Sequence, residues 1–325
     1  MHRPLGITML FLVAAAMAYP PGGHADAPVP ISPGLSFRFI AGAGYVSSND
    51  QLRPNDGNKS VRDLDDNANR YDAVIPLVSF DLRYTLAETG RQIYLGAPMG
   101  DEGPPGLTLG AVWPLESGGA IDAGAFVMPF GEVWEDPYLV DRNRRETNKD
   151  VYGAKIDYTR ILGTGFEAGY RVETIDIDTD DIGRRFDELE RDGWVHAFKL
   201  GYAHTLGDGW QLVPAAGFTL GDIDGDANRY RGYRLKIGLR RLDARNLLNL
   251  SLGVGYRDYE DEHPIFDKDR NDTLFNAFGV YTRSNLFGRD ALFASLVAGY
   301  NHRRSNIDFL EADTIMSGLM LGYRF

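Results

Sequence analysis

From about residue 35 onward, apolar residues occupy every second position in one segment after another. Segment 246–257 shows the pattern with Leu248, Leu250, Leu252, Val254 and Tyr256, which alternate with small or polar residues. Successive side chains of a β-strand point to opposite faces of the sheet. The period of two therefore predicts strands with one apolar face and one small or polar face.

Fourteen segments share this pattern, and the connections between them alternate in length. Short connections carry glycine and aspartate, whereas longer polar ones cover 47–72, 130–149, 177–192 and 258–272. Short periplasmic turns and long outer loops are typical of an outer-membrane barrel, and an even strand number places both chain ends on one side. The sequence predicts an all-β fold: one transmembrane antiparallel β-barrel domain of about 14 strands in 28–325. The predicted strands are 35–46, 73–85, 91–97, 105–114, 119–129, 150–161, 165–176, 193–205, 210–219, 230–240, 246–257, 273–284, 289–301 and 312–325.

The last segment ends in alternating apolar residues that finish on an aromatic ring. Leu321, Tyr323 and Phe325 share one face of this strand. This ending resembles the signal by which bacterial outer-membrane barrels are recognised for assembly. We expect Tyr323 and Phe325 to act as that signal, with the barrel-assembly machinery as a partner.

Residues 1–27 have the features of a secretory signal peptide. Arg3 supplies a positive start, segment 5–18 is apolar but too short to span a bilayer, and small residues follow at Ala18 and Ala25. We expect cleavage near one of these alanines, export through the periplasm and a location in the bacterial outer membrane.

Composition narrows the classes further. The 325 residues include no cysteine, 34 Lys and Arg, and 46 Asp and Glu, for a formal net charge of −12. The lack of cysteine excludes disulfides and cysteine-ligated metals, and the negative charge argues against nucleic acid as a partner. A mean hydropathy of −0.29 is that of a soluble protein. Alternation explains this value, since only half of each strand would face lipid.

Histidine supplies no clear catalytic arrangement. Parity places His196 and His204 on the apolar face of one strand, and His263 and His302 lie in or beside outer loops. Neither a nucleophile motif nor the zinc pattern His-Glu-x-x-His accompanies them. We expect no enzymatic activity and no cofactor.

One acidic segment resembles the opening of a calcium loop. Asp222, Asp224 and Asp226 have the required spacing, but Ala227 stands where glycine is needed and Tyr233 where the bidentate glutamate would be. A solvated acidic loop without a resident metal is therefore preferred. Divalent ions that bridge such carboxylates to lipopolysaccharide are the alternative.

The face opposite the apolar one carries charges of both signs and many glycines. It should face the lumen, because Arg or Lys on the lipid face costs about 2–4 kcal/mol near the midplane. We expect Arg171, Arg234, Lys236 and Arg240 to line a partly cationic passage that favours anions. Small residues should leave space there, and the alternative is a lumen plugged by charge networks and loops. The inward glycines are Gly42, Gly44, Gly124, Gly153, Gly169, Gly253, Gly255, Gly318 and Gly322.

Loop 130–149 is unusually apolar for a solvated loop. Trp134, Pro137 and Tyr138 are its most distinctive residues. We expect it to fold over or into the barrel mouth as a gate. The alternative is a loop that packs on neighbouring outer loops.

Several short motifs resemble one family of bacterial outer-membrane proteins, the domain of unknown function 2860. The most specific are Trp-Glu-Asp-Pro-Tyr-Leu at 134–139 and Tyr-Arg-Asp-Tyr at 256–259. Weaker ones lie at 92–96, 163–166 and 264–268, so the likeness covers nearly the whole mature chain. The resemblance implies an outer-membrane barrel and supplies no catalytic residues.

Together these features predict a narrow passive channel or pore for small polar solutes. The alternative is a non-conducting structural or adhesive barrel that contacts lipopolysaccharide or a surface partner. A transporter of hydrophobic ligands is disfavoured, because the inward positions are charged or glycine far more often than large and apolar.

Overall fold

The structure is a computed structural model that describes residues 33–65, 68–97 and 106–325. The predicted signal peptide lies outside the described residues. Strands dominate the described part of the chain, where five short 3₁₀ turns and one short helix, α1 (Asp181–Arg185), lie between them. The strands are β1 (Gly34–Ser48), β2 (Tyr71–Thr85), β3 (Gln92–Gly96), β4 (Leu107–Pro114), β5 (Ala120–Trp134), β6 (Glu146–Thr159), β7 (Phe166–Ile177), β8 (Gly193–Tyr202, continued by His204–Gly207), β9 (Trp210–Ile223), β10 (Tyr230–Leu242), β11 (Asn246–His263), β12 (Lys268–Leu286), β13 (Arg289–Ser305) and β14 (Ala312–Arg324).

The 14 strands form one closed antiparallel barrel. Each strand pairs with its neighbours in the chain, and β14 pairs with β1 from Arg38↔Arg324 to Ser48↔Thr314. The C-terminal Phe325 exchanges two backbone hydrogen bonds with Phe37, of 3.0 and 3.1 Å. Closure leaves the sheet without an unpaired edge, which is what a sheet in lipid requires. The predicted fold class is confirmed.

A proline explains the one interruption along β8. The register is the same on both sides of the break, with Leu212 opposite His204 and Ala215 opposite Gly201. Continuing that register places Pro214 of β9 opposite Tyr202, where the break begins. Proline has no N–H to donate, so one ladder hydrogen bond is missing there.

The outer wall is apolar. Leu235 and Leu321 are each 63 % exposed and Leu252 is 60 % exposed, which suits a wall that meets lipid instead of water. Exposed aromatic rings flank this band, as expected for both membrane interfaces. Those near the short turns are Tyr84, Phe166, Tyr202, Tyr323 and Phe325, and those near the long connections are Tyr45, Tyr152, Tyr233, Tyr256 and Tyr300. Helices that could span a membrane do not occur among the described residues.

The inner wall differs between two halves of the barrel. On the adjacent strands β12, β13, β14, β1 and β2, nine inward side chains are apolar and no more than 4 % exposed. They are Ile40, Val46, Ile75, Leu77, Val280, Phe293, Val297, Met316 and Met320. The expectation of mainly charged or glycine inward positions is wrong for this half. It holds better for β5 to β10, where inward positions carry ionised groups.

Inward glycines hold large side chains in place instead of leaving space. A Cβ on Gly322 would collide with the Phe293 ring, and one on Gly318 would meet Leu77. The same relation joins Gly153 to the Phe126 ring. Because interiors are close-packed, the sequence pairs a glycine on one strand with a bulky residue beside it. The expectation that these three glycines leave space is therefore wrong.

The strands continue beyond the predicted loop boundaries at the outer end. β5 extends to Trp134 and β6 begins at Glu146, so predicted loop 130–149 contracts to 135–145. Predicted loop 258–272 is mostly strand, because β11 reaches His263 and β12 starts at Lys268. The hydrogen-bond ladder of the backbone therefore continues past the point where apolar and polar residues stop alternating in the sequence.

Five of the outer connections pack together into a cap, defined here by the apolar cluster that they share, and Phe266 of a sixth packs against it. Its buried members are Val61, Tyr138, Ile182, Leu189, Ala227, Ile307, Phe309 and Leu310. Backbone hydrogen bonds also tie the connections together, for example from the amide of Ile182 to the carbonyl of Glu135 at 3.1 Å. The outer end of the barrel is thus covered by ordered chain.

The glycine–aromatic packing predicts the effect of one methyl group. Gly322→Ala would force a Cβ into the Phe293 ring and should lower the free energy of unfolding by about 1–3 kcal/mol. Urea unfolding in lipid vesicles measures this change. Gly238→Ala is the matched control, since its Cβ would meet no atom closer than 3.4 Å. Equal losses for the two variants would contradict the packing argument, and Phe293→Leu should partly rescue Gly322→Ala.

Candidate functional site: the charged lumen wall and the cap

A single cross-strand row carries charges across six strands of the polar half. Register partners follow one another from β5 to β10 as Asp122, Asp157, Gly169, Lys199, Gly217 and Arg234. The acids come from β5 and β6 and the bases from β8 and β10. This order groups the acids at one end of the row and the bases at the other, along the inner wall.

Ion pairs connect the acidic part of this row. Lys155 Nζ lies 2.9 Å from Asp122 and 3.6 Å from Asp157, and Lys199 Nζ lies 3.7 Å from Asp157. The Tyr94 hydroxyl donates to Asp122 at 2.7 Å. The charged side chains remain 28–33 % exposed, although they point away from lipid. They therefore face internal space that solvent can reach.

All four predicted pore-lining residues lie on the inward face, in different surroundings. Arg171 pairs with Glu173 at 2.7 Å and stands over the Phe126 ring at 4.1 Å. Arg240 Nε donates to Asn249 at 3.1 Å. These contacts neutralise Arg171 and fix Arg240.

Arg234 and Lys236 have small neighbours. Arg234 lies between Gly217 and Gly255 in the register, and Lys236 between Ala215 and Gly253. Arg234 forms no hydrogen bond or ion pair with another residue in the described part of the chain. Its charge therefore acts on the adjoining internal space.

The predicted gate residues lie at the edge of the cap or within it. Trp134 ends β5, is fully buried, and donates from Nε1 to the Gln51 carbonyl at 3.1 Å. Pro137 and Tyr138 are buried as well. This segment packs on other outer connections, which the sequence left open as the alternative to a gate.

Tyr138 packs against a buried histidine. The Tyr138 hydroxyl lies 3.0 Å from Nε2 of His263, which has no exposed surface. Burial, with a smaller effect from the Arg270 charge, lowers the pKa of His263 from 6.5 to about 4. Burial also raises the pKa of Tyr138 to about 12. At neutral pH the pair is therefore uncharged inside the apolar cap.

His196, His302 and the acidic segment are each engaged by neighbouring side chains. His196 faces outward and hydrogen-bonds Tyr170 at 2.8 Å, and His302 hydrogen-bonds Asp313 at 2.9 Å. Arg229 lies against both Asp222 and Asp226. Within the described ranges, no cluster of three or more histidine and acidic side chains could hold a metal ion.

Sequence reasoning missed two inward cations, Lys149 and Arg257. Both lie on strand extensions whose residues were assigned to loops or strand ends. Continuing the parity of β6 from Lys155 to Lys149, and of β11 from Gly253 to Arg257, would have found them.

The closed, apolar-walled sheet defines a transmembrane β-barrel of the outer-membrane type. The chain belongs to the family described as a protein of unknown function, DUF2860, whose model matches residues 34–324. The resemblance seen in the short motifs is thereby confirmed. No curated protein sequence matches the chain.

Solved outer-membrane proteins show a distant likeness. An outer-membrane channel from Pseudomonas putida F1 is 11% identical, with 92% of this chain and 99% of that chain covered and a TM-score of 0.46. The outer membrane channel DcaP of Acinetobacter baumannii is 10% identical, with 90% of this chain and 98% of that chain covered and a TM-score of 0.42. An anion-selective porin from Comamonas acidovorans is 8% identical, with 90% of this chain and 99% of that chain covered and a TM-score of 0.40. The function argued below rests on this chain's own residues.

The buried histidine predicts that acid destabilises the cap. The pKa of His263 in the folded protein lies below its ordinary value of 6.5, so protonation favours the unfolded chain. The stabilising contribution of the neutral, buried imidazole is therefore complete above pH 6.5 and is lost as the pH falls toward 4. The full difference corresponds to roughly 3 kcal/mol. Melting temperatures of the folded protein between pH 4 and pH 7 measure the loss.

His263→Gln should flatten this pH dependence, because glutamine does not titrate. His302→Gln is the matched control, since His302 is partly exposed beside Asp313. If His263→Gln keeps the parent's pH profile, a different group is responsible.

Proposed function

We propose that this protein is a narrow passive channel of the bacterial outer membrane for small polar solutes, with a preference for anions. The observation that carries the proposal is the pair Arg234 and Lys236. Both project from β10 into the lumen between small residues. Cations beside accessible internal space attract anions and raise their local concentration.

The division of the inner wall supports a passage along one side. The apolar half is closed by its own packing, whereas the charged side chains of the other half stay partly exposed. A completely filled lumen would bury these charges at a considerable cost. A water-filled path beside β5 to β10 is the simpler arrangement.

The cap would control entry to this path. Tyr138 contacts rings from two other connections, with centroids 5.7 Å away at Phe266 and 5.4 Å away at Phe309. We propose that segment 134–140 acts as a gate through these contacts. Trp134, Pro137 and Tyr138 are its central residues.

The compact cap also favours a second candidate, a non-conducting structural or adhesive barrel. Several of its side chains have no more than 1 % exposure, among them Ile182, Leu189 and Leu310. The closed outer surface that this packing gives the cap could contact lipopolysaccharide or a surface partner. In both cases Tyr323 and Phe325, exposed at the closing seam, would serve the barrel-assembly machinery.

Reversing the lumen charge tests the channel. Arg234→Glu combined with Lys236→Glu should turn the anion preference into a cation preference, because the charges next to the path change sign. The reversal potential across a planar bilayer in a KCl gradient should change sign. Arg91→Glu, on an exposed periplasmic turn, is the control and should keep the parent's reversal potential. Silence from correctly folded parent protein would favour the non-conducting barrel.

Removing the Tyr138 ring tests the gate. Tyr138→Ala deletes the contacts with His263, Phe266 and Phe309, so the cap should loosen and single-channel conductance should rise. Tyr152→Ala is the control, since Tyr152 is exposed on the outer wall. A conductance equal to that of the parent would rule out a gate at Tyr138.

A further inference from the structure

One row of inward positions joins a carboxylate on β7 to an ammonium group on β10. Register partners follow one another as Glu167, Gly201, Ala215 and Lys236. Neighbouring strands lie about 4.8 Å apart, so the backbones of the two charged residues are about 14 Å apart. The two positions between them carry only a hydrogen atom and a methyl group.

A second row, one step nearer the outer end, adds a guanidinium group. Arg234 lies two residues from Lys236 on the same face of β10, about 7 Å along the strand, and its register partner on β9 is Gly217. Among the described atoms, a Cβ on Gly217 would come within 4 Å of one backbone carbonyl and of Arg234 itself. Gly201, Ala215 and Gly217 thus form a low surface on the inner wall, which we call the shelf.

Glu167 leans over the shelf from its β7 edge. A Cβ on Gly201 would lie 2.9 Å from Oε1 and 3.0 Å from Cγ of Glu167, so this side chain occupies the space above the glycine and extends toward β9. It is partly exposed, and it forms no hydrogen bond or ion pair with another residue in the described ranges. The carboxylate therefore acts on the space above the shelf.

The charges beside the shelf are paired with one another. Lys199, two residues before Gly201 on β8, lies 3.7 Å from Asp157 of β6. Arg171, further along β7, pairs with Glu173 at 2.7 Å. The shelf itself is left with an acidic edge on β7 and a basic edge on β10.

We propose that the shelf binds a small zwitterionic solute, with its ammonium group on Glu167 and its carboxylate on Arg234. Charge-assisted hydrogen bonds are stronger than neutral ones, and a guanidinium group can hold a carboxylate through two parallel bonds. A simple anion would use the basic edge alone, whereas a zwitterion satisfies both edges. The inference names the solute class of the proposed channel and rests on that proposed function for the entry of the solute.

Equilibrium binding tests the shelf without any need for conduction. The full chain, folded in detergent micelles at neutral pH and low salt, is titrated with γ-aminobutyrate and, separately, with butyrate, which lacks the ammonium group. Saturation-transfer NMR measures the two dissociation constants. The parent should bind γ-aminobutyrate about five times more tightly than butyrate, the gain expected from one partly exposed ion pair.

Three variants separate the two edges. Glu167→Gln should remove the preference for γ-aminobutyrate without weakening butyrate. Arg234→Gln should weaken both ligands, because each places its carboxylate there. Glu116→Gln, on an exposed periplasmic turn, is the control and should match the parent. If Glu167→Gln does not fold, Ala215→Leu takes its place, since a larger side chain would cover the shelf and weaken γ-aminobutyrate.

Parent protein that binds neither ligand, or binds the two equally, would overturn the proposal, as would a preference that survives in Glu167→Gln. Preferential binding of γ-aminobutyrate by a barrel that is silent in bilayers would support the shelf and reject the channel. Anion conduction by a parent that binds both ligands equally would support the channel and reject the shelf.

Discussion

Hydrogen bonding of the backbone in lipid is the constraint on which the rest of this structure depends. A bilayer core offers no water to an unpaired N–H or C=O group, so a sheet must close upon itself. Here closure falls between β1 and β14, and the terminal Phe325 completes it by bonding to Phe37. The break at Pro214 shows how local an exception remains, because the register is unchanged on either side.

Closure sorts the side chains into two environments, and the register decides how the inner one is filled. Large inward residues occupy space because glycines stand beside them, as Gly322 does for Phe293 and Gly318 for Leu77. Where β8 to β10 place Gly217 beside Arg234 and Ala215 beside Lys236, the cross-strand neighbours are small. The same small residues therefore support packing in one half of the barrel and access in the other.

The sequence predicted the parts of the fold that lipid enforces. The period of two requires an apolar outer face, so the strands and the barrel could be derived from it. Above the membrane that requirement ends. At Asp258 and Glu262 the backbone still pairs with β12, but both faces are polar and the pattern looks like a loop. Lys149 and Arg257 escaped notice for this reason, since their strands were taken to end near them.

Contacts between distant segments could not be read from the chain either. His263 and Tyr138 are 125 positions apart, and nothing in their local sequences indicates that their side chains meet. Parity placed Arg171 in the lumen, but its charge is cancelled by Glu173 two residues later on the same face. Parity fixes the direction of a side chain, whereas its effective charge depends on partners that only the register and rotamers supply.

The cap and the wall differ in what holds them, and this difference bears on gating. Opening the wall would expose ladder hydrogen bonds to lipid, whereas opening the cap would expose its connections to water, which can satisfy them. The cap also encloses polar groups at a cost. Arg144 is 1 % exposed, with Nε and Nη2 lacking partners, and burial lowers its pKa to about 10. Apolar packing around Tyr138 and Phe309 must offset that cost and the cost of His263 in acid. The proposed gate therefore lies in the part of the described structure whose opening would leave the hydrogen bonds of the barrel intact.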